Sequence, residues 1–184
     1  MGKKKPKLAI CRGATCSGCD IAILDMYEQI LNVLERVDMV FAPTIMDTKY
    51  KDIEAMNDDE IDVCLYHGSV RDSENERMAH LMRKKSKILI AFGACACFGG
   101  ISGLGNVTSR DEIFMEVYKN TASTDNPEFI MPQPIYIDDK GNELSTPRFY
   151  DDVFALDDIV DVDYYVPLCP PITEQIMKIL TAIL

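Results

Sequence analysis

Short apolar segments alternate with amphipathic helical segments along most of the chain, and this alternation restricts the fold more than any other feature. Five short apolar runs are predicted to be strands: residues 8–11, 38–43, 61–66, 87–92 and 162–166. Helices are predicted between or after them: residues 21–37, 73–85, 111–119 and 173–184, with a weaker helix or turn at 53–59. Strands separated by helices pair in parallel through right-handed crossovers. The sequence therefore predicts an α/β fold, a doubly wound parallel sheet with helices on both faces.

One segment, at about 120–147, interrupts this alternation. It is rich in Pro, Asn, Asp, Ser and Thr, and its prolines and glycine favour an extended stretch at 132–134 and a turn at 139–142. Loops of this length without regular structure are uncommon and are typically functional. The chain of 184 residues is long enough for one domain with a sizeable core. We therefore expect a single domain over 1–184, with a surface excursion at about 120–147.

The charge of the chain argues against a nucleic-acid partner. The formal net charge is −11, and there is no excess of Lys and Arg to neutralise phosphates. The sequence lacks an uninterrupted apolar run of about 18 residues, the length expected of a membrane-spanning helix. The basic start leads into an apolar stretch that is too short for a signal peptide. The expectation is a cytoplasmic protein with no membrane insertion.

Seven cysteines are present, and four of them follow predicted strands. Cys16 and Cys19 come after the first strand, Cys95 after the fourth and Cys169 after the fifth. Open α/β sheets bind ligands beyond the carboxyl ends of their strands, so these four thiols should converge at one edge. Iron–sulfur clusters take soft thiolate ligands, commonly four. The sequence predicts one 4Fe–4S cluster on these four cysteines, with electron transfer rather than substrate chemistry.

The residues around these cysteines suit a cluster. Gly18 gives backbone freedom to the turn that joins Cys16 and Cys19. Pro170 and Pro171 stiffen the chain after Cys169. Several glycines after the third cysteine permit close backbone approach to a bulky group: Gly99, Gly100, Gly103 and Gly105.

Other interpretations of the cysteines stay open at this point. A Cys-x-x-Cys pair in a cytoplasmic α/β chain also suits a thioredoxin-like dithiol or half of a zinc site. Zinc usually adds a second close pair or histidines, whereas the only histidines here are His67 and His80, and His80 is expected on a helix surface. Cys11 with the first pair also gives the plant-type 2Fe–2S spacing, but no fourth cysteine follows until Cys64.

The remaining cysteines are expected to be packing residues. Cys11 and Cys64 lie inside apolar predicted strands and should be buried thiols. Cys97 lies two residues from Cys95 and could replace it as a ligand. An odd number of cysteines in an unexported chain favours metal or redox chemistry over a disulfide framework.

These motifs resemble the small subunit of NiFe hydrogenases and, more distantly, the cluster-bearing 20 kDa subunit of respiratory complex I. The resemblance covers nearly the whole chain except the excursion, and its matching stretches are residues 16–19, 46–50, 68–70, 93–96, 99–101 and 166–171. The complex I subunit carries adjacent cysteines in its first motif. Here two residues separate Cys16 from Cys19, which favours the hydrogenase side.

The resemblance implies a flavodoxin-like domain that binds the proximal 4Fe–4S cluster. It implies docking against a large subunit that holds a nickel–iron centre and splits or forms dihydrogen. Electrons would pass on to a flavin or iron–sulfur subunit that uses NAD(P), ferredoxin or a similar acceptor. Because no cysteine-rich segment follows Cys169, the chain resembles the short, single-cluster form of NAD-reducing cytoplasmic hydrogenases. The alternative is a complex I-like, quinone-linked subunit without hydrogen chemistry.

The chain also departs from the family pattern near the predicted site. His67 stands where the family commonly has glutamate, and Asp20 follows Cys19 where relatives carry histidine or glutamate. Thr15 and Leu168 stand where glycines are usual. His67 could hydrogen-bond a cluster sulfide or thiolate and raise the reduction potential, or it could merely fill the position.

Overall fold

The structure is a computed structural model that describes residues 5–183. The strands in this range are β1 Lys7–Arg12, β2 Asp38–Phe41, β3 Ile61–His67, β4 Val70–Asp72, β5 Ser86–Phe92, β6 Ile135–Ile137, β7 Glu143–Ser145, β8 Phe149–Phe154 and β9 Tyr164–Val166. The α-helices are α1 Gly18–Leu24, α2 Gln29–Leu34, α3 Tyr50–Glu54, α4 Ser73–Lys85, α5 Ala94–Phe98, α6 Arg110–Met115 and α7 Thr173–Ile183. Short 3₁₀ helices follow at Ser102–Val107 and Leu156–Asp158, and a π-helical turn at Glu116–Asn120. Within 5–183, none of the helices combines the length and apolar character needed to cross a membrane.

Five strands form a central parallel sheet in the order β2-β1-β3-β5-β9. The chain moves outward from β1 to β2 and then returns to the other side of β1 to add β3, β5 and β9. This reversal is the switch point of a flavodoxin-like sheet, beyond which such folds bind ligands. All five predicted strands form, so the predicted α/β, doubly wound fold is confirmed.

Side chains alternate between two cores, one on each face of the sheet. Ala9 and Cys11 of β1 face a core built with α3, α4 and α5, whereas Leu8 and Ile10 face a core built with α1, α2 and α7. This alternation follows from the two-residue period of a strand. The helices therefore cover both faces, as the sequence predicts. Cys64 is also fully buried in the α4-side core.

The helix predicted at 73–85 forms with the same bounds, as α4 Ser73–Lys85. Asp72 is the N-cap of α4, and its Oδ1 accepts from the backbone N–H groups of Glu74 at 3.0 Å and Asn75 at 2.8 Å. At the other end, Arg83 Nη1 donates to Asp163 Oδ2 at 2.6 Å, which ties α4 to the segment before β9. The start of this helix is thus fixed by a side-chain cap of the preferred type.

The single helix predicted over 21–37 is wrong, because the structure has two short helices there. The bonds tighten to i→i−3 after Leu24, and Tyr27 adopts a left-handed φ of 50°, which ends α1. Four apolar residues in this segment have helical spacing in the sequence, namely Ile21, Leu24, Leu31 and Leu34, but they do not form the buried face. Ile21, Leu24 and Leu31 are 55%, 41% and 58% exposed. The residues that pack are Ala22, Ile23, Met26 and Val33.

The predicted excursion contains a small antiparallel hairpin of β6 and β7. Its turn is held by Asp138, whose Oδ1 accepts from the backbone N–H groups of Lys140 at 2.9 Å and Asn142 at 2.8 Å. The strand side chains of the hairpin are exposed. A second small sheet pairs β4 with β8 and was not predicted.

Candidate iron–sulfur site

The first predicted ligand pair lies where β1 passes into α1. Ser17 is the N-cap of α1 with a left-handed φ of 65°, and its backbone N–H donates to Thr15 Oγ1 at 3.1 Å. Cys19 lies in the first turn of the helix and is partly buried, whereas Cys16 is exposed. The early start of α1 thus places the two thiols on a turn and a helix end, rather than on one loop.

Cys95 lies in α5, the short helix that follows β5. Gly93 precedes this helix with φ 86°, and a Cβ at Gly93 would lie 2.5 Å from Cys19 Sγ. Gly100 has φ 53°, and a Cβ there would lie 2.8 Å from Cys95 Sγ. Both positions therefore require glycine on two counts, the backbone conformation and the close approach of a cysteine sulfur. Gly93 brings the Cys19 thiol against the start of the helix that carries Cys95.

The third segment, after β9, is tied to the same place by backbone hydrogen bonds. The N–H of Gly93 donates to Val166 O and the N–H of Ala94 donates to Leu168 O, both at 2.8 Å. Leu168 has φ 106°, in the region that favours glycine, which is the residue usual there in the resembling family. Cys169 follows directly and is exposed.

The other three predicted ligand thiols lie close enough to Cys19 to affect its pKa. Burial raises the pKa of the Cys19 thiol to about 12, and the thiol groups of Cys95, Cys16 and Cys169 add to the rise, as does Asp20. Like-charged thiolates disfavour one another unless a cation lies among them. The structure therefore brings together the four cysteines singled out by the sequence, from three separate segments.

The other three cysteines are engaged in the α4-side core. The Cys97 thiol donates to Ala91 O at 3.3 Å, and burial raises its pKa. Burial likewise raises the pKa of Cys64 to about 12 and that of Cys11 well above its usual value. Cys11 and Cys64 lie in β1 and β3, the strands in which the sequence predicts them, whereas Cys97 lies in α5.

The donor set suits an iron–sulfur cluster. It consists of four soft sulfur atoms, commonly the number of ligands for a 4Fe–4S cluster. Glycines stand where the backbone approaches two of these sulfurs. Among residues 5–183, no three Cys, His, Asp or Glu side chains are grouped closely enough to hold a single metal ion, so the four thiols lie near one another without forming a single-ion site.

Two of the departures named above, Asp20 and His67, contact each other. His67 Nε2 donates to Asp20 Oδ1 at 3.0 Å, and the side chains are 0% and 6% exposed. Burial acts to raise the pKa of Asp20, but the hydrogen bond and charge of His67 outweigh it, so this pKa is lowered. His67 Nδ1 is buried and has no hydrogen-bond partner in the described part of the chain. This contact is not predicted from the sequence. The one signal that points to it is that both Asp20 and His67 depart from the family pattern.

Exposed apolar side chains flank the predicted ligands in all three segments. They are Ile21 and Leu24 after the first pair, Phe98, Ile101 and Leu104 after Cys95, and Leu168 and Ile172 around Cys169. We call this set the apolar rim. A concentration of exposed apolar residues of this kind is typical of a surface that another protein covers.

Residues 16–183 match the family model described as NADH ubiquinone oxidoreductase, 20 Kd subunit. The chain belongs to this family. It is 44% identical over 179 residues to the iron-sulfur subunit of the F420-non-reducing hydrogenase of Archaeoglobus profundus, covering 97% of this chain and 56% of the relative. It is 31% identical over 176 residues to the delta subunit of the NAD-reducing hydrogenase HoxS of Cupriavidus necator, covering 96% and 77%. This member of the family thus spans about half the length of the F420-non-reducing hydrogenase subunits that it matches.

Solved structures of hydrogenases share the fold. One chain of the crystal structure of an NAD⁺-reducing [NiFe]-hydrogenase in the H₂-reduced state is 29% identical, with a TM-score of 0.81 over 97% of this chain and 90% of that chain. A chain of the Ni-Fe-Se hydrogenase from Desulfomicrobium baculatum, at 17% identity, matches in fold with a TM-score of 0.58 over 97% and 62%. The resemblance to hydrogenase small subunits, expected from the cysteine motifs, is confirmed.

Proposed function

We propose that this chain binds one 4Fe–4S cluster through Cys16, Cys19, Cys95 and Cys169 and serves as the electron-relay small subunit of a NiFe hydrogenase complex. The observation that carries the proposal is the meeting of four thiols from three segments at the carboxyl edge of the sheet. A cluster bound there supplies one-electron redox chemistry. The chain itself supplies thiolates, a packed support and the charges that set the potential. This role needs no nucleophile or general base on the chain.

The burial of the thiols supports a relay role. Cys95 is buried and Cys19 is partly buried, whereas Cys16 and Cys169 are exposed. The site therefore has one side anchored in the fold and one side at the molecular surface. Redox groups of other subunits can approach the exposed side closely, which a relay requires.

The proposed partners are a large subunit with a nickel–iron centre and a flavin or iron–sulfur subunit that uses NAD(P), ferredoxin or a similar acceptor. The apolar rim supports docking of such a subunit over the site, because apolar residues concentrate in the core of protein interfaces. Relatives named as subunits of F420-non-reducing and NAD-reducing hydrogenases support the same assembly. We place the complex in the cytoplasm, without membrane insertion and without a nucleic-acid partner.

The ligand assignment is tested by removing one thiol at a time. Cys16→Ala, Cys19→Ala, Cys95→Ala and Cys169→Ala are each expected to abolish the absorbance and electron paramagnetic resonance (EPR) signals of the 4Fe–4S cluster. Cys64→Ala is the matched control, because it removes a thiol from the buried core, and it should keep both signals. An intact cluster in Cys95→Ala, with loss in Cys97→Ala, would show that the third ligand is Cys97.

A complex I-like, quinone-linked subunit without hydrogen chemistry is the second candidate. The observation in its favour is the family model, which is named for the 20 kDa subunit of NADH ubiquinone oxidoreductase. The two residues between Cys16 and Cys19 support the hydrogenase role instead. Metal analysis of the co-purified native complex separates the two: nickel in a partner chain is expected, and a complex with this subunit but no nickel would favour the quinone-linked role.

A further inference from the structure

We propose that Asp20 and His67 form a buried pair that sets the reduction potential of the cluster. In this pair Asp20 supplies a fixed negative charge beside the ligand Cys19, and His67 is the positioning residue that holds this carboxylate. The inference rests on the proposed function, because it requires a cluster on the four cysteines. It assigns a role to two buried polar residues that cluster ligation does not use.

The geometry places the charge next to a ligand. Asp20 directly follows Cys19 in the first turn of α1 and is 6% exposed. A carboxylate carries a negative charge at neutral pH. Since water is largely excluded from this position, the charge is screened less than it would be at the surface. A negative charge beside the cluster opposes the addition of an electron and so lowers the reduction potential.

His67 holds the carboxylate from a rigid element. It is the last residue of β3, where it lies in register with Arg12 of β1 and Phe92 of β5, and its carbonyl accepts from Gly13 N at 2.8 Å. Its Nε2 reaches Asp20 Oδ1 at 3.0 Å. The hydrogen bond therefore joins the helix that carries Cys19 to the centre of the sheet. A hydrogen bond from Thr44 and the positive charge of Arg12 also lower the pKa of Asp20.

The pair is costly as a purely structural feature. The imidazole of His67 leaves its Nδ1 buried without a hydrogen-bond partner in the described residues. An unpaired buried polar atom destabilises the fold, and apolar residues of similar volume often replace buried ion pairs without loss of stability. Perturbed, buried charges of this kind concentrate at functional sites. An electrostatic role at the cluster gives both groups a function that packing alone does not.

The first test compares the potentials of charge variants in the native, cluster-loaded complex. An EPR-monitored redox titration at one pH is expected to show a higher midpoint potential for Asp20→Asn than for the wild type. Asp20→Glu keeps the charge and should stay near the wild type. Asp25→Asn is the matched control, since Asp25 is an exposed residue at the end of the same helix, and it should leave the potential unchanged.

The second test asks whether His67 acts through Asp20. His67→Leu is expected to shift the potential when Asp20 is present and to cause no further shift in the D20N background. His67→Gln can still donate to the carboxylate and should restore a potential near that of the wild type. A shift of equal size in the D20N background would overturn the positioning role, because His67 would then act on the cluster independently.

The outcomes separate this inference from the proposed function. A wild-type complex without a 4Fe–4S signal would overturn the proposed function itself. A normal signal in every variant, with Asp20→Asn no different in potential from Asp25→Asn, would overturn only the role of the pair. Loss of the signal in Asp20→Asn would also overturn that role, because the carboxylate would then serve cluster assembly rather than its potential.

Discussion

Backbone conformation decides where each candidate ligand thiol lies. Ser17 and Leu168 adopt left-handed φ values beside Cys16 and Cys169, and Gly93 and Gly100 adopt them around Cys95. At Gly93 and Gly100, a Cβ would also lie within 2.8 Å of a cysteine sulfur. The thiols are therefore positioned by strained or glycine-only turns, as is common at functional sites.

Gly93→Ala tests this positioning. An added Cβ would lie 2.5 Å from Cys19 Sγ, so we expect loss of most of the 4Fe–4S absorbance per chain. The matched control is Gly141→Ala, because Gly141 has a similar φ of 80° and an added Cβ there would meet no atom within 4 Å. Each substitution should cost about 1–3 kcal/mol of backbone strain, measured by chemical denaturation. Equal cluster content in the two variants would contradict the account.

Sequence reasoning could find the four cysteines but not the contact between Asp20 and His67. The cysteines follow strands whose apolar runs are visible in the sequence, and parallel strands end at a common edge. The Asp20–His67 hydrogen bond instead joins residues 47 positions apart. It depends on where α1 begins, which the apolar pattern of 21–37 concealed.

At the scale of elements, the sequence predicts the long and strongly patterned segments and misses the short ones. The central strands and α4 form as expected because a buried strand or a capped helix leaves a clear pattern. The five-residue α5, which carries Cys95, is too short to show a helical period. The strands β4 and β8 are joined only through tertiary contacts, so no local signal marks their pairing.

Asp72→Ala tests the element that is best explained by its local sequence. Loss of the two hydrogen bonds that Asp72 accepts at the start of α4 should cost about 1 kcal/mol of unfolding free energy. Urea denaturation measures this cost, with Asp139→Ala as the control. Asp139 is exposed, and its substitution should change stability by less than about 0.5 kcal/mol. A similar effect of both variants would show that the cap contributes nothing specific.

At the scale of the whole molecule, the two cores support the sheet, and the open edge carries the candidate ligand thiols. The cores on either face of the sheet hold β1, β3, β5 and β9 in register, and three of these strands lead into the candidate ligand segments. The open edge carries exposed thiols and the apolar rim. The molecule therefore presents the candidate ligand thiols at a surface of the kind that other proteins cover.

The central claim is a single 4Fe–4S cluster on this chain. Its most direct measurement is the content of iron, zinc and acid-labile sulfide in the anaerobically purified protein. We expect about four iron and about four sulfide per chain, the composition of one such cluster. Zinc bound to the chain in the absence of sulfide would contradict the account.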